Sequence, residues 1–218
     1  QDSGSRMLIF EAEFEEVVSS IRPRLNFSNG NYFTLGTPCP DWAIEYEKVI
    51  KKKLANEPPG NGSFGKVDPH VIMYTSGTTG VPKGAVLSHR KTFFNVLNAD
   101  IVYNLTSKDI MMVTRPMFHS GGLLVEAAPV LYKGGTLIIR KRFRPNEILE
   151  TIQKYKVTLL ELAATVYQFI LQDCDLNQYD LSSVRCFFTG GERIPVTMLK
   201  EYQKKGIIIS QIFGQTEA

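Results

Sequence analysis

Cysteine is scarce in this chain of 218 residues: Cys39, Cys174 and Cys186 are an odd number, with no C-x-x-C pair and no zinc-type spacing. That argues against a disulfide framework or a cysteine metal cluster, and makes a reducing, cytoplasmic setting the expectation. Histidine is as rare, with three residues, and tryptophan occurs once. An excess of one charge is lacking too. With 25 Lys and Arg against 22 Asp and Glu the net charge is +3, too mild to argue for a nucleic-acid surface. The most apolar stretch, GGLLVEAAPVLY, is too short for a bilayer span and holds Glu126 and Pro129, so no membrane span is expected. The opening QDSGSRMLIF shows no signal-peptide pattern and passes almost directly into a strand. What is present is ordinary globular chemistry: hydrophobic residues make up 43% of the chain, enough for a sizeable core in one large domain or two small ones.

Periodicity then orders the chain. A strand is predicted over Met7–Phe10, followed by a helix with Phe14, Val17, Val18 and Ile21 on one face and Pro23 at its end. A second strand covers Asn31–Leu35. Asp41 is placed to cap a helix carrying Ala43, Tyr46, Ile50 and Leu54, with Lys48, Lys51, Lys52 and Lys53 as a solvated face. Residues 1–55 therefore read as a βαβα lead-in, and Asn56–Pro69, dense in Pro and Gly, as a connector. Over 70–218 strands are predicted at Val71–Tyr74, Ala85–Leu87, Ile110–Thr114, Thr136–Arg140, Val157–Leu162, Arg185–Thr189 and Ile207–Phe213. Ser88 caps a helix with Phe93, Phe94, Leu97 and Ile101 inward, and further helices fall at Gly122–Tyr132, Asn146–Tyr155, Val166–Gln172 and Val196–Lys205. Alternating elements with strands apolar throughout imply an α/β fold of mostly parallel sheets flanked by helices.

The stretch with most chemistry is VIMYTSGTTGVPKG, Val71–Gly84. A strand ends in glycines and hydroxyls: Gly77 and Gly80 allow backbone geometry that turns N–H groups inward as an anion nest, Thr75, Ser76, Thr78 and Thr79 add donors, and Lys83 adds charge. It is not a Walker A loop, because Val81 and Pro82 stand before the lysine and Gly84 after it. By itself such a loop is equally a simple turn. Three further polar or glycine-rich segments also follow predicted strands: RPMFHSGG, TGGE and FGQTE. In open α/β sheets ligands bind beyond the carboxyl ends of strands, so their common placement points to a nucleotide site.

YTSGTTGVPKG resembles the signature loop of the adenylate-forming enzymes: acyl-CoA synthetases, aryl-CoA ligases, luciferases and the adenylation domains of peptide synthetases. The other segments follow in the order this family uses. By the resemblance Gly190, Gly191 and Glu192 lie against the purine, Phe213 stacks on adenine with Gly214 and Gln215 beside it, Thr216 contacts the α-phosphate, Glu217 holds Mg²⁺, and Phe118-His119 lines the carboxylate pocket. The family often has tyrosine where Phe213 stands. The implied function is ATP-dependent activation of a fatty or aryl acid to an acyl-adenylate, then transfer to coenzyme A. The implied partners are a small carboxylic acid, ATP and coenzyme A, with no nucleic acid. The run Arg140, Lys141, Arg142 and Arg144 reads as a solvated surface or as a contact for coenzyme A phosphates or a membrane surface. The family's ribose-binding aspartate, hinge and small C-terminal domain with its lysine are expected beyond Ala218, so residues 1–218 are expected to be a partial N-terminal AMP-binding domain, inactive alone. The alternatives are an amino-acid adenylation domain, a luciferase-like enzyme, or a non-catalytic nucleotide-binding module.

Overall fold

Tyr32 and Thr34 are buried while Phe33 and Leu35 are less so, the alternation of a strand covered mainly on one face. This strand, β2 (Tyr32–Leu35), runs parallel to β1 (Leu8–Glu11) and to a two-residue β3 (Ile44–Glu45) in a three-stranded sheet of order β1-β2-β3. The computed structural model describes residues 2–52, 65–77, 80–142 and 144–217. The chain falls into two units, Gln1–Ser63 and Phe64–Ala218.

In the first unit Phe10, Val18 and Tyr32 form the core, and Trp42 stacks on Phe10 with centroids 5.5 Å apart and planes 13° from parallel. That packing corrects the expected helix from Asp41. Trp42 and Ala43 are drawn against the core, Ile44 pairs with Phe33, and the helix α2 starts only at Tyr46 (Tyr46–Ile50). Lys53, Leu54 and most of the expected connector lie outside the described residues. Helix α1 (Glu15–Ile21) buries Val18, while Phe14 and Val17 are exposed, so its inward face is narrower than expected.

The second unit holds a five-stranded parallel sheet of β6 (Ile110–Val113), β7 (Thr136–Ile139), β8 (Leu159–Glu161), β9 (Cys186–Thr189) and β10 (Ile209–Gln211), in the order β10-β9-β8-β6-β7. Helices α4 (Ala128–Tyr132), α5 (Pro145–Tyr155), α6 (Ala164–Asp173) and α7 (Val196–Lys204) connect its strands. Met112, Leu160 and Phe188 are almost fully buried, as strands covered on both faces require. From β6 the chain crosses to β7 on one side and then, through α5, to β8 on the other. The strand order therefore reverses at β6, and a crevice opens beyond its carboxyl end.

The glycine–threonine loop differs from expectation. β4 (Pro69–Thr75) and β5 (Lys83–Ser88) pair antiparallel as a separate two-stranded sheet, with Thr75 opposite Lys83. A connection from Ser76 to Pro82 is too short for the crossover that parallel strands need, so the loop is a hairpin turn and Lys83 is a strand residue. Helix α3 (His89–Tyr103) is capped as expected, Ser88 Oγ accepting from Lys91 N at 3.2 Å. Its inward side is not. Val96 is buried while Phe93, Phe94 and Ile101 are exposed, the two phenylalanines meeting edge to face and Phe93 meeting Tyr132. Among the described residues no helix is long and apolar enough to cross a membrane.

At the amino ends of the strands Asp109 ties three of them together. Its Oδ1 accepts from Thr158 Oγ1 (2.7 Å) and Arg185 Nε (2.9 Å), and its Oδ2 from Thr106 N (2.8 Å) and Arg185 Nη2 (2.9 Å). Bonds to Arg185 and Thr158 outweigh the burial that opposes ionisation, and hold this carboxyl down at about 2. Asp109→Ala is expected to cost about 3 kcal/mol, because a paired guanidinium is left behind. The folded-state value is depressed, so this stabilisation is complete above the ordinary carboxylate value and fades as pH falls towards about 2. Urea unfolding of both proteins at pH 7 and pH 3 checks the loss and its shrinkage at the lower pH.

Candidate functional site

Beyond the carboxyl ends of β6, β8, β9 and β10 lies a cavity of about 390 Å³. Its walls come from α3 (Lys91, Asn95, Asn98, Ala99, Val102, Tyr103), the turn after β6, and the segment Ile212–Thr216 after β10. Arg115, Glu161, Gly190 and Gly191 close it at the strand ends.

The turn after β6 is shaped by close packing. Gly121 and Gly122 open a wide π-type turn, Gly121–Ala127, that runs into α4. A Cβ on Gly122 would stand 2.5 Å from the Pro116 carbonyl oxygen and 2.6 Å from that of Arg115. The backbones can approach this closely only without side chains. His119 Nδ1 accepts from Gly121 N at 3.0 Å, so the histidine caps the turn while its ring lines the cavity.

Three segments distant in sequence then meet. Thr75 Oγ1, at the mouth of the hairpin, donates to Glu217 Oε1 at 3.4 Å. Ser120 Oγ lies 3.3 Å from Thr216 Oγ1. Lys91 Nζ donates to the Thr216 carbonyl at 2.7 Å, and partial burial lowers the lysine's pKa against the opposing pull of Glu217. Of the residues singled out in the sequence, His119, Gly190, Gly191, Phe213, Gly214, Gln215 and Thr216 line the cavity, Phe213 being 90% exposed and free to cover a flat ligand. Thr75 and Glu217 bond to each other and do not line it, Glu217 adjoining Thr216, which does. Ser76, Gly77 and Gly80 sit in the hairpin turn and Lys83 is exposed opposite Thr75; none of these lines the cavity. Gly77 has φ +31°, and a Cβ there would collide with the Val81 carbonyl oxygen. Thr78 and Thr79 lie outside the described residues. Glu192 is exposed, off the cavity, and uses its carbonyl to accept from Gln211 Nε2 at 3.3 Å. Arg140 of the basic run turns to α5, 3.8 Å from Glu147 and 3.4 Å from Thr151 Oγ1.

Sequence reasoning missed Lys91, Arg115 and Glu161. Arg115 Nη2 donates to the Gly190 carbonyl at 2.6 Å and its Nε lies 2.8 Å from Glu161 Oε1. Glu161 is a carboxylate inside VTLLELAA, and a charge in an otherwise apolar buried strand was the available signal. Glu126 is fully buried under the turn and accepts from Thr114 N (2.8 Å) and Arg115 N (3.3 Å).

Comparison with known proteins places the chain in a family. The profile of the family described as AMP-binding enzyme matches residues 1–218. Indoleacetate–CoA ligase of Aromatoleum aromaticum is 29% identical over 99% of this chain and 42% of its own length. Feruloyl-CoA synthase of an Amycolatopsis species is 35% identical over 75% of this chain and 33% of its own. The chain thus spans well under half the length of these relatives. Among solved structures, the inhibitor-bound N-terminal domain of FACL13 from Mycobacterium tuberculosis superposes with a TM-score of 0.79 at 26% identity, over 99% of this chain and 52% of that one. ATP-bound MatB from Rhodopseudomonas palustris does so with 0.82 at 25%, over 97% and 40%.

Gly122→Ala tests the packing of the turn. Two carbonyl oxygens would have to move, so a loss of about 3 kcal/mol is expected, at the upper end of overpacking costs. The control is Gly206→Ala, where a Cβ meets nothing within 4 Å and only the φ of +76° is strained. Thermal unfolding of the two variants should show the larger drop for Gly122→Ala.

Proposed function

Because the chain belongs to the AMP-binding enzyme family, we propose that it supplies the phosphate- and acid-binding part of an acid–CoA ligase that activates a fatty or aryl acid with ATP. One observation carries this: the His119–Ser120 turn and Thr216 line one cavity, and the hairpin mouth at Thr75 meets the adjoining Glu217 beside it, although 142 residues separate Thr75 from Glu217. In the reaction an acid carboxylate oxygen attacks the α-phosphorus and pyrophosphate leaves. The thiol of coenzyme A then takes the acyl group and AMP is released.

The roles proposed follow from the family resemblance. By it Thr75, Ser76, Gly77, Thr78, Thr79, Gly80 and Lys83 are assigned to the phosphates, through backbone N–H groups, hydroxyls and one charge. By the same resemblance Gly190, Gly191 and Glu192 are assigned to the adenine, although Glu192 stands off the cavity that the two glycines line, with Phe213 as its cover and Gly214 and Gln215 at its flanks. Thr216 meets the α-phosphate, and His119 faces the acid carboxylate. Mg²⁺ fits Glu217: one carboxylate with the Thr75 hydroxyl 3.4 Å away is the sparse donor set this ion takes when phosphates and waters supply the rest. When bound it would offset charge building on pyrophosphate. Lys83 and the hairpin N–H groups serve the same end, as donors fixed before the charge develops.

Aryl acids are favoured within the acid class, because relatives are named for indoleacetate, ferulate and 2-succinylbenzoate and because Val102, Tyr103, Leu124, Val125 and Ile212 line the cavity. For the alternative of an amino-acid adenylation domain, the described residues around the cavity offer no uncommitted carboxylate to the substrate ammonium. Glu126 is spent on backbone N–H groups and Glu161 on Arg115. The setting proposed is cytoplasmic, in keeping with three free cysteines.

Two outcomes test these assignments in the complete ligase. Lys83→Ala and Glu217→Ala should each lower ATP–pyrophosphate exchange by about 10²-fold while changing stability by no more than about 0.5 kcal/mol, since both side chains are exposed. Exchange assayed beside thermal unfolding decides it, and a variant that melts early yet exchanges normally when folded assigns that residue to the fold. Amino acids should be activated at least about 100-fold less well than unsubstituted aryl acids of similar size, because an unpaired buried ammonium costs several kcal/mol. An amino acid that outpaces every simple acid in the exchange assay would move the adenylation-domain alternative ahead.

A further inference from the structure

Under the cavity lies a charge group that the proposed chemistry does not use. Arg115 reaches three ways: its backbone N–H points at Glu126 Oε2 (3.3 Å), its Nε lies beside Glu161 Oε1 (2.8 Å), and its Nη2 donates to the Gly190 carbonyl (2.6 Å). Thr114 adds a fourth tie, with its Oγ1 donating to the Glu161 carbonyl at 2.7 Å and lying 3.4 Å from Glu126 Oε1. Glu126 is 0% exposed and Glu161 2%. Two buried carboxyls are thus tied to the same Thr114–Arg115 segment, which carries one guanidinium. Two negative charges in a dry place against one cation would leave one uncompensated, which favours a proton on one carboxyl. Glu161 Oε2 is buried with no donor among the described residues, and a proton on a neighbouring carboxyl would supply one.

We propose that Glu126 and Glu161 share one proton and, with Arg115, form a neutral unit that positions Gly190 and keeps the floor of the acid pocket free of net charge. Glu126 is the member that holds the proton, and Glu161, the one paired with the guanidinium, holds the negative charge. Burial raises the Glu126 carboxyl to about 8, with the charge of Glu161 adding to it and the Thr114 and Arg115 N–H groups and the Arg115 charge opposing. Among the described residues, Tyr103 on α3 and Tyr167 on α6 feel Glu161 and are pushed further from ionisation, chiefly by burial, so both are neutral across the range considered. Lys91 on α3 and His119 line the same cavity as Arg115 and Glu161. Glu126 and Glu161 are positioning residues, since Arg115 and Gly190 are what they hold.

A consequence for selection follows, and it rests on the acid-binding assignment above. Loss of the shared proton places an uncompensated negative charge beneath a pocket that must accept a carboxylate. The enzyme should then bind its acid less well on the alkaline side without losing ATP. The folded state should also lose stability there, because a raised carboxyl binds a proton in the folded protein that the unfolded chain has already released, from the ordinary carboxylate value up to about 8.

The experiment uses the complete ligase, with Glu126→Gln, which remains neutral, and with Glu161→Gln, which removes the charge that adds to burial in keeping Glu126 protonated. KM for the acid, KM for ATP and the melting temperature are measured from pH 6 to 9.5. In the wild type, acid KM should rise about tenfold between pH 7 and 9.5 while ATP KM changes less than about twofold, the size expected for one nearby charge. Both variants should lose that rise, and Glu126→Gln should lose the accompanying fall in melting temperature. Persistence of the wild-type acid profile in either folded variant would overturn the proposal. So would melting temperatures of wild type and Glu126→Gln that run parallel with pH. The melting measurement needs no substrate: if it succeeds while no acid is activated, the proton-sharing unit stands and the ligase assignment falls.

Discussion

Arg115 puts a guanidinium where three strand ends run out of ladder partners. Pairing of β6 with β8 ends at Met112 and Leu160, and beyond it no regular backbone bonds hold the two chains together. The switch in strand order that opens the crevice is what takes them away. Thr114 donating to the Glu161 carbonyl, and Arg115 to that of Gly190, stand in for the missing rungs. Buried backbone groups left unpaired would each cost about 1–3 kcal/mol, so a site at a switch point needs side chains of this kind. The cavity wall is therefore built from an ion group rather than from the sheet alone.

A second clasp closes the opposite edge. Asp109, Thr158 and Arg185 precede β6, β8 and β9, so the same three strands are tied at their amino ends by Asp109–Arg185 and at their carboxyl ends by Arg115–Glu161. The two differ in setting. Asp109 meets one arginine and stays ionised with its carboxyl lowered, whereas two carboxyls share Arg115 and one is raised to about 8. The first gives a stable charge pair at an edge reached partly by solvent. The second puts a group that titrates near neutrality directly under the ligand space.

Much of this was legible from residue pattern. The alternation over 110–213, the Ser88 cap and the gathering of FHSGG, TGG and FGQT at one end depend on local chemistry or on a rule that holds for parallel sheets generally, whereas YTSGTTG lies in a hairpin of a separate sheet. What escaped depends on partners distant in sequence. Ile44–Glu45 is a strand only because Phe33 lies beside it and Trp42 is drawn onto Phe10. Phe93, Phe94 and Ile101 make as good a helical stripe as the one containing Val96, and periodicity cannot choose between faces when a helix is apolar on more than one side. The hairpin was hidden because β4 and β5 carry the apolar composition of parallel strands, although a seven-residue link between them permits only return pairing. Lys91 and Arg115 resemble any surface cation until the fold turns them inward.

Likeness of fold and likeness of site carry different weight. Superposition at 25–26% identity places the chain among adenylate-forming N-terminal domains, and a shared architecture leaves substrate choice to the side chains that face the ligand. Here those side chains include a cation on α3, an arginine and a glutamate at the strand ends, and an apolar flank from Val102 to Ile212. Within the floor unit the arginine cancels the one ionised carboxylate, so Lys91 is the charge with most influence on an entering acid, and it stands at the Thr216 side where the phosphates are proposed to lie. On the proposed acid-activating function, this distribution of charge sets the acid's carboxylate towards Thr216 and its tail towards Tyr103, because the positive charge stands at one end of the cavity and the apolar side chains at the other.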